Sequence, residues 1–197
     1  MEVKMEKRIS VLFVGNSYTY FNDMPSSSFI REAEAVGYKA DVTAVTKGGW
    51  YLSKYADEND EYGKRLREVI KGKRYDYAVL QEQSLCPVKD EERFSFGVGA
   101  LKELIDAERF ILYATWGRNE GSPDLTALGM TRAEMTERLS EAYNRAAEKY
   151  GMTVAEVGRA FLEYPDRDAL YDADASHPSA IGSEIAAKVI FDAMGVK

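Results

Sequence analysis

Apolar residues along the chain fall into short dense runs, separated by stretches in which they recur at helical spacing. Ile9 to Val14 is an almost unbroken apolar run bounded by Gly15, the pattern of a strand buried on both faces of a parallel sheet. Ala40–Val45, Tyr77–Gln81, Phe110–Thr115 and Met152–Val157 read as four further strands. Between them, Met24–Val36, Asp60–Ile70, Glu91–Ile105, Thr131–Tyr150 and Ser179–Met194 read as helices. Pro25 suits a first helical turn and Gly37 a stop. Gly97 and Gly99 weaken the third helix. The fourth is the clearest: Thr131 and Glu134 make a capping-box pattern, Met135, Leu139, Ala142, Ala146 and Tyr150 share one face, and Gly151 ends it. In the last, Ser179 is placed to cap the start and Gly195 to end it.

Strands alternating with crossover helices imply an α/β fold whose parallel sheet is covered on both faces. Ligands in such folds sit beyond the carboxyl ends of the strands. That rule selects residues 15–24, 47–52, 82–90 and 164–178 as the loops to inspect. Gly117–Met130, rich in turn formers, reads as a long surface loop, either functional or disordered.

A length of 197 residues suits one domain, 1–197, with a substantial core. The net charge is −7, and no basic stripe is present, which argues against a nucleic-acid partner. The basic residues of 64–74 read as solvated helix ends. Lys4, Lys7 and Arg8 followed by Ile9–Val14 superficially resemble an export signal. However, the apolar run is short, and Asn16-Ser17 ends it without a small-residue cleavage site. No segment approaches the ~20 apolar residues of a membrane span. The expectation is a cytoplasmic protein away from the membrane. Cys86, the only cysteine, excludes an internal disulfide and a multi-cysteine metal site, and reads as a small buried hydrophobe.

Histidine is equally scarce, so any imidazole chemistry must use His177, in Asp174-Ala175-Ser176-His177-Pro178. A neutral imidazole takes a proton from a hydroxyl, and a carboxylate on its other nitrogen orients it. Asp174 and Asp172 both stand close enough in sequence for that second role. Ser17 lies just past the first strand, where Gly15 permits a tight turn, and a helix N-terminus there would favour negative charge. Acyl transfer also needs hydrogen-bond donors for an oxyanion. Gly48-Gly49 at the second strand end offers backbone N–H groups, and Gln81 and Gln83 at the third offer amides. Trp50 and Trp116, at strand ends, read either as pocket walls for substrate or as core anchors. Neither a P-loop nor a dinucleotide-binding glycine pattern is present, and a metal site lacks ligands beyond the carboxylates around Asp172 and Asp174.

Four blocks thus fall in order: Gly-Asn-Ser-Tyr-Thr at 15–19, Gly-Gly at 48–49, Leu-Gln-Glu-Gln-Ser at 80–84 and Asp-x-x-His at 174–177. Together they resemble the SGNH (GDSL-like) hydrolase superfamily, in a subgroup with these first and third blocks. The resemblance spans nearly the whole chain. It implies a flavodoxin-like three-layer α/β/α fold with a five-stranded parallel sheet. It also implies Ser17 as nucleophile, His177 as base and Asp174, by the family spacing, as the orienting acid. The Ser17 and Gly49 N–H groups would then contribute to the oxyanion hole. Two departures stand out. Asn16 replaces the usual Asp, and Gln81-Glu82-Gln83-Ser84 replaces a Gly-x-Asn-Asp block, so the third oxyanion donor passes to Gln83, with Gln81 as rival and as a substrate-binding candidate. The expectation is a serine ester hydrolase for a small-molecule ester of a short acyl group, acetylated carbohydrates among them, with no cofactor. A decayed binding protein on the same fold and a flavodoxin-like cofactor module are the competing readings.

Overall fold

The apolar run Ile9–Val14 forms the interior of strand β1 (Lys7–Gly15), with Val11 to Val14 fully sequestered from solvent. The structure, a computed structural model, describes residues 7–196; Lys4 lies outside them. Four more strands follow: β2 (Tyr38–Thr46), β3 (Tyr75–Leu80), β4 (Ala107–Ala114) and β5 (Thr153–Glu156). All pair in parallel, in the order β2-β1-β3-β4-β5. The helices are α1 (Ser17–Tyr20), α2 (Ser28–Ala35), α3 (Leu52–Ala56), α4 (Glu61–Ile70), α5 (Cys86–Lys89), α6 (Glu91–Leu104), α7 (Pro123–Leu128), α8 (Arg132–Tyr150), α9 (Val157–Glu163) and α10 (Ala180–Met194).

Side chains alternate across β1, so a run that is apolar at every position supplies two cores at once. Ile9, Val11 and Phe13 point to one face, where Phe29 of α2, Phe161 of α9 and Ile190 of α10 cover them. Leu12 and Val14 point to the other, beneath Leu52, Leu66, Phe94 and Tyr143 of α3, α4, α6 and α8. The result is the three-layer α/β/α arrangement in flavodoxin-like strand order. The chain leaves β1 towards β2 on one side and returns through β3 on the other. The crevice where the connections diverge therefore opens between the carboxyl ends of β1 and β3.

The expected caps of α8 and α10 form: the Thr131–Glu134 box is reciprocal, Ser179 accepts from the Gly182 N–H, and Gly151 and Gly195 adopt the left-handed conformation that ends each helix. Two expectations needed correction. The segment Met24–Val36 is not one helix. It begins as a 3-10 stretch, Phe21–Ser26, in which Asn22 and Asp23 have φ of 54° and 52°, and α2 starts only at Ser28. The left-handed pair is held from afar, because Asn22 Nδ2 donates to the Pro178 carbonyl (3.0 Å) and to Ser183 Oγ (2.8 Å). The Gly117–Met130 segment contains the short helix α7, capped by Ser122 with Pro123 at its first position.

Glycine supplies space as much as backbone freedom. A Cβ on Gly97 would lie 2.7 Å from the Ser53 backbone nitrogen, so this glycine lets α6 close onto α3. At Gly15 a Cβ would lie 2.5 Å from Thr19 Oγ1 and 2.8 Å from Gln81 Oε1. Clearance between the ends of β1 and β3 is thus what Gly15 provides. Gly15→Ala should destabilise the protein by about 1–3 kcal/mol through overpacking, read as a lowered urea midpoint at unchanged slope. An unshifted midpoint would mean that the β1 and β3 ends yield freely.

Candidate active site

Beyond β1 the backbone is held from three directions. The Gly15 carbonyl accepts from Tyr55 Oη (2.6 Å) and from the Lys47 N–H (3.2 Å). Asn16, almost fully buried, donates its N–H to Gln81 Oε1 (2.9 Å) and its Nδ2 to the Trp50 carbonyl (3.1 Å), and its Oδ1 caps the Tyr18 N–H (3.2 Å). Ser17 is therefore the first residue of α1, half-buried at the head of the crevice.

Ser17 Oγ lies 2.8 Å from His177 Nε2. The other ring nitrogen, Nδ1, meets Asp174 Oδ2 in a short contact, while Asp174 Oδ1 accepts the Ser176 N–H (2.9 Å) and the His177 N–H (2.8 Å). Asp172 takes no part at the ring; its Oδ1 accepts from the Ala173 N–H. Burial by itself would raise the Asp174 pKa, but the hydrogen bonds from the His177 side chain and from the two backbone N–H groups, with the imidazolium charge, hold it below the ordinary 3.8. It is a carboxylate throughout the range in which an imidazole exchanges its proton.

The loop that carries Asp174 and His177 is tightly folded. Ala175 has φ of 58°, its N–H donates to the Asp172 carbonyl, and the His177 carbonyl accepts from the Asp172 N–H (2.8 Å). Its flanks are tied to distant elements: Asn119 N–H to the Ala175 carbonyl (2.9 Å), Trp116 Nε1 to the Ser176 carbonyl (3.0 Å), and Tyr18 Oη to Ser176 Oγ (2.8 Å). Phe21 lies flat on the imidazole, centroids 4.1 Å apart and planes within 11°, and Tyr18 meets it edge-on at 5.5 Å. The ring is fixed in position and tilt by a carboxylate and two aromatic rings, one stacked and one edge-on. Chemically, this line of three groups can draw a proton from the Ser17 hydroxyl towards a stabilised imidazolium.

The remaining sequence candidates separate. Gly49 is exposed with φ of 68°, and among the described residues neither its N–H nor that of Ser17 has a hydrogen-bond partner. Gln83 is half-buried; its Oε1 accepts the Leu85 and Cys86 N–H groups (2.9 and 3.0 Å), which leaves its Nε2 as the uncommitted end. Gln81 is fully buried, with Oε1 holding Asn16 and Thr19 and Nε2 on the Glu82 carbonyl. It is a strut between β1 and β3, and both ends of its amide are engaged away from any ligand. Trp116 is likewise fully buried, stacked between Tyr18 (4.6 Å) and Phe161 (4.2 Å), and is a core anchor, not a pocket wall. Trp50 stays half-buried, its Nε1 on Asp60 (3.1 Å) and Lys54 Nζ 4.1 Å from its ring. Cys86 is buried, and burial first, then the Glu82 charge, push its thiol up to about 12. No group of three or more His, Cys, Asp or Glu among the described residues is arranged to hold a metal ion, and none of the described helices is long and apolar enough to cross a membrane.

Neither Glu82 nor Phe21 carries an assigned role in the sequence reading. Glu82 is fully buried, and its carboxylate accepts from the Leu52 N–H (3.2 Å) and the Gln83 N–H (2.6 Å). It therefore joins the segments that follow β2 and β3. A charged residue immediately after an apolar strand was the available signal. Burial pushes its pKa from 4.5 up to about 8, against the backbone N–H bonds that lower it.

Neither a protein-family model nor a curated protein sequence matches the chain. Solved structures do. An SGNH hydrolase from Slackia heliotrinireducens is 30% identical, with a TM-score of 0.84 over 96% of this chain and 100% of that one. A DUF4886 family protein from Bacteroides uniformis is 18% identical, with a TM-score of 0.80 over 95% of this chain and 83% of that one. An acetylxylan esterase from Geobacillus stearothermophilus is 16% identical, with a TM-score of 0.65 over 96% and 95%. The latter two share the fold.

The burial of Glu82 carries a pH signature. Between pH 4.5 and about 8 the folded protein keeps a proton that the unfolded chain has released. Stability from this group therefore falls as pH rises through that window and is level above it, a loss of a few kcal/mol in order of magnitude. Glu82→Gln, neutral throughout, should lack this slope. In urea unfolding, wild type minus variant should become steadily less favourable from pH 5 to pH 8; a constant difference would refute the shift.

Proposed function

This chain belongs to the SGNH hydrolases, and from that premise we propose that it is a serine ester hydrolase working through an acyl-enzyme on Ser17. One observation carries the reading: the continuous contact from Ser17 Oγ through the His177 ring to the Asp174 carboxylate. Ser17 attacks the ester carbonyl carbon as His177 Nε2 takes the hydroxyl proton. The carbonyl oxygen becomes an oxyanion beside the N–H groups of Ser17 and Gly49, with Gln83 Nε2 as a third donor. The imidazolium returns its proton to the leaving alkoxide, and the acyl group stays on Ser17. Water then repeats the sequence, giving its proton to His177 and its hydroxyl to the acyl carbon. Ser17 leaves with the proton restored. Asp174 holds one ring nitrogen throughout and stabilises the charged form. No step calls for a metal or an organic cofactor.

Short acyl esters are the substrate class, and acetylated carbohydrates are the first members to test, on the likeness to an acetylxylan esterase. A second reading is a binding protein that has lost hydrolysis. It draws on the third-strand block, where Gln81 is engaged internally and Gln83 is half-engaged as a cap.

Hydrolysis of p-nitrophenyl acetate decides between them. Wild type should turn over, and Ser17→Ala, with its fold intact by circular dichroism, should fall to the uncatalysed background. A fluorophosphonate should add its mass to Ser17 in wild type alone. Asp174→Asn should lower kcat by about 10³–10⁴-fold with KM little changed, as loss of the orienting acid does elsewhere. An inert, unlabelled wild type would favour the binding protein.

A further inference from the structure

A cavity of about 230 Å³ lies between the segment after β2 and the start of α6, and none of Ser17, Asp174 or His177 lines it. Two of its walls begin at Asn16, the residue before Ser17. Asn16 Nδ2 holds the Trp50 carbonyl, and the next residue, Tyr51, lines the cavity. The Asn16 N–H holds Gln81, and Gln83, two residues on, lines it as well. Two hydrogen bonds from Asn16 thus connect the Ser17 turn to the segments that line the cavity.

Its polar lining is dominated by donors. The Arg93 guanidinium centre sits 3.7 Å from the Tyr51 ring centroid, and its Nε donates to Ser53 Oγ (2.9 Å). Stacking and that one bond fix the guanidinium plane, yet Nη1 and Nη2 meet no partner among the described residues. Lys89 is exposed, and its Nζ has no ion pair or hydrogen bond among them. Gln83 contributes an amide whose oxygen is engaged and whose nitrogen is not. The one acid in the lining, Asp90, has Oδ1 on the Arg93 N–H at the head of α6. Glu82, buried behind, faces Arg93 electrostatically, and burial raises its carboxyl pKa, which works against the charge that would oppose the cation. A fixed guanidinium fork and an ammonium make a site for an oxygen-rich anion.

We infer that this cavity is a substrate subsite for a carboxylate, and that the protein prefers esters bearing a carboxylate in the acyl or the alcohol half. The inference rests on the reading of Ser17 as nucleophile, which supplies the ester chemistry next to it. Arg93 accepts the carboxylate as a two-pronged partner, and Lys89 adds charge at the exposed side.

Two matched pairs test it. Mono-p-nitrophenyl succinate against p-nitrophenyl acetate probes the acyl half. 4-Acetoxybenzoate against phenyl acetate probes the alcohol half. In at least one pair, after correction for uncatalysed hydrolysis, the charged member should have a kcat/KM about tenfold or more higher, through KM, the worth of one charge-assisted hydrogen bond. The charged-to-neutral ratio should fall towards one in Arg93→Gln, be partly retained in Arg93→Lys, and fall several-fold in Lys89→Gln, an exposed change that spares the fold. No preference in either pair, or a preference untouched by all three substitutions, would overturn the subsite while leaving ester hydrolysis standing. If wild type cleaves none of the four esters and Ser17 takes no fluorophosphonate, the hydrolase reading fails. The cavity is then judged by titration calorimetry with glutarate: binding weakened about tenfold in Arg93→Gln keeps the carboxylate site, and absence of binding removes it.

Discussion

Everything at the head of the sheet depends on how Asn16 is held. One side chain and one backbone N–H fasten it to the segment after β2 and to Gln81 after β3. In a parallel sheet the strand ends carry carbonyl and N–H groups that the ladder no longer pairs, and inside a buried crevice each must find a partner. Here Gln81 supplies one such partner and Tyr55 another. The cost of leaving those groups unpaired makes the turn rigid, and that rigidity sets where Ser17 Oγ points. Gly15 belongs to the same constraint, since any larger residue would separate the two strand ends that Gln81 joins.

Glu82 extends this arrangement one layer outward. A carboxyl group with two backbone N–H donors and no cation bonded to it is an expensive thing to bury. Its position explains why it is tolerated: it makes the segment carrying Gly49 and the segment carrying Gln83 move as one body. The proposed donors to an oxyanion thereby sit on connected backbone, which is the preorganisation that electrostatic catalysis requires. Phe21 does for the imidazole what Glu82 does for the loops, limiting tilt where Asp174 limits rotation.

Much of this was legible in the chain because apolar runs and helix caps are local signals. The parallel sheet, the two buried faces of β1 and the caps of α8 and α10 all follow from patterns within a few residues. Ser17, Asp174 and His177 stood out through scarcity and spacing, and the structure brings them into contact; their roles remain those proposed. What could not be read was set by distant partners. The left-handed pair Asn22-Asp23, just before the expected helix, left no local signal because its anchor lies at Pro178 and Ser183. Gln81 and Trp116, ending strands, were open to either a ligand-facing or a structural reading, because which way a strand-end side chain turns depends on what packs above it. Ser122-Pro123 starts a helix but is indistinguishable from a turn by local chemistry.

The hydrogen bond between Ser17 and His177 spans 160 residues of chain. Ser17 leaves the ribosome well before His177, and Ser183, which anchors the Asn22 side chain, follows later still within α10. A nascent chain can build β1 to β4 and its serine turn before the His177 ring that contacts Ser17 has been made. A segment made late thus completes a contact that the first strand's turn begins, and under the proposed mechanism the serine has no base over that interval.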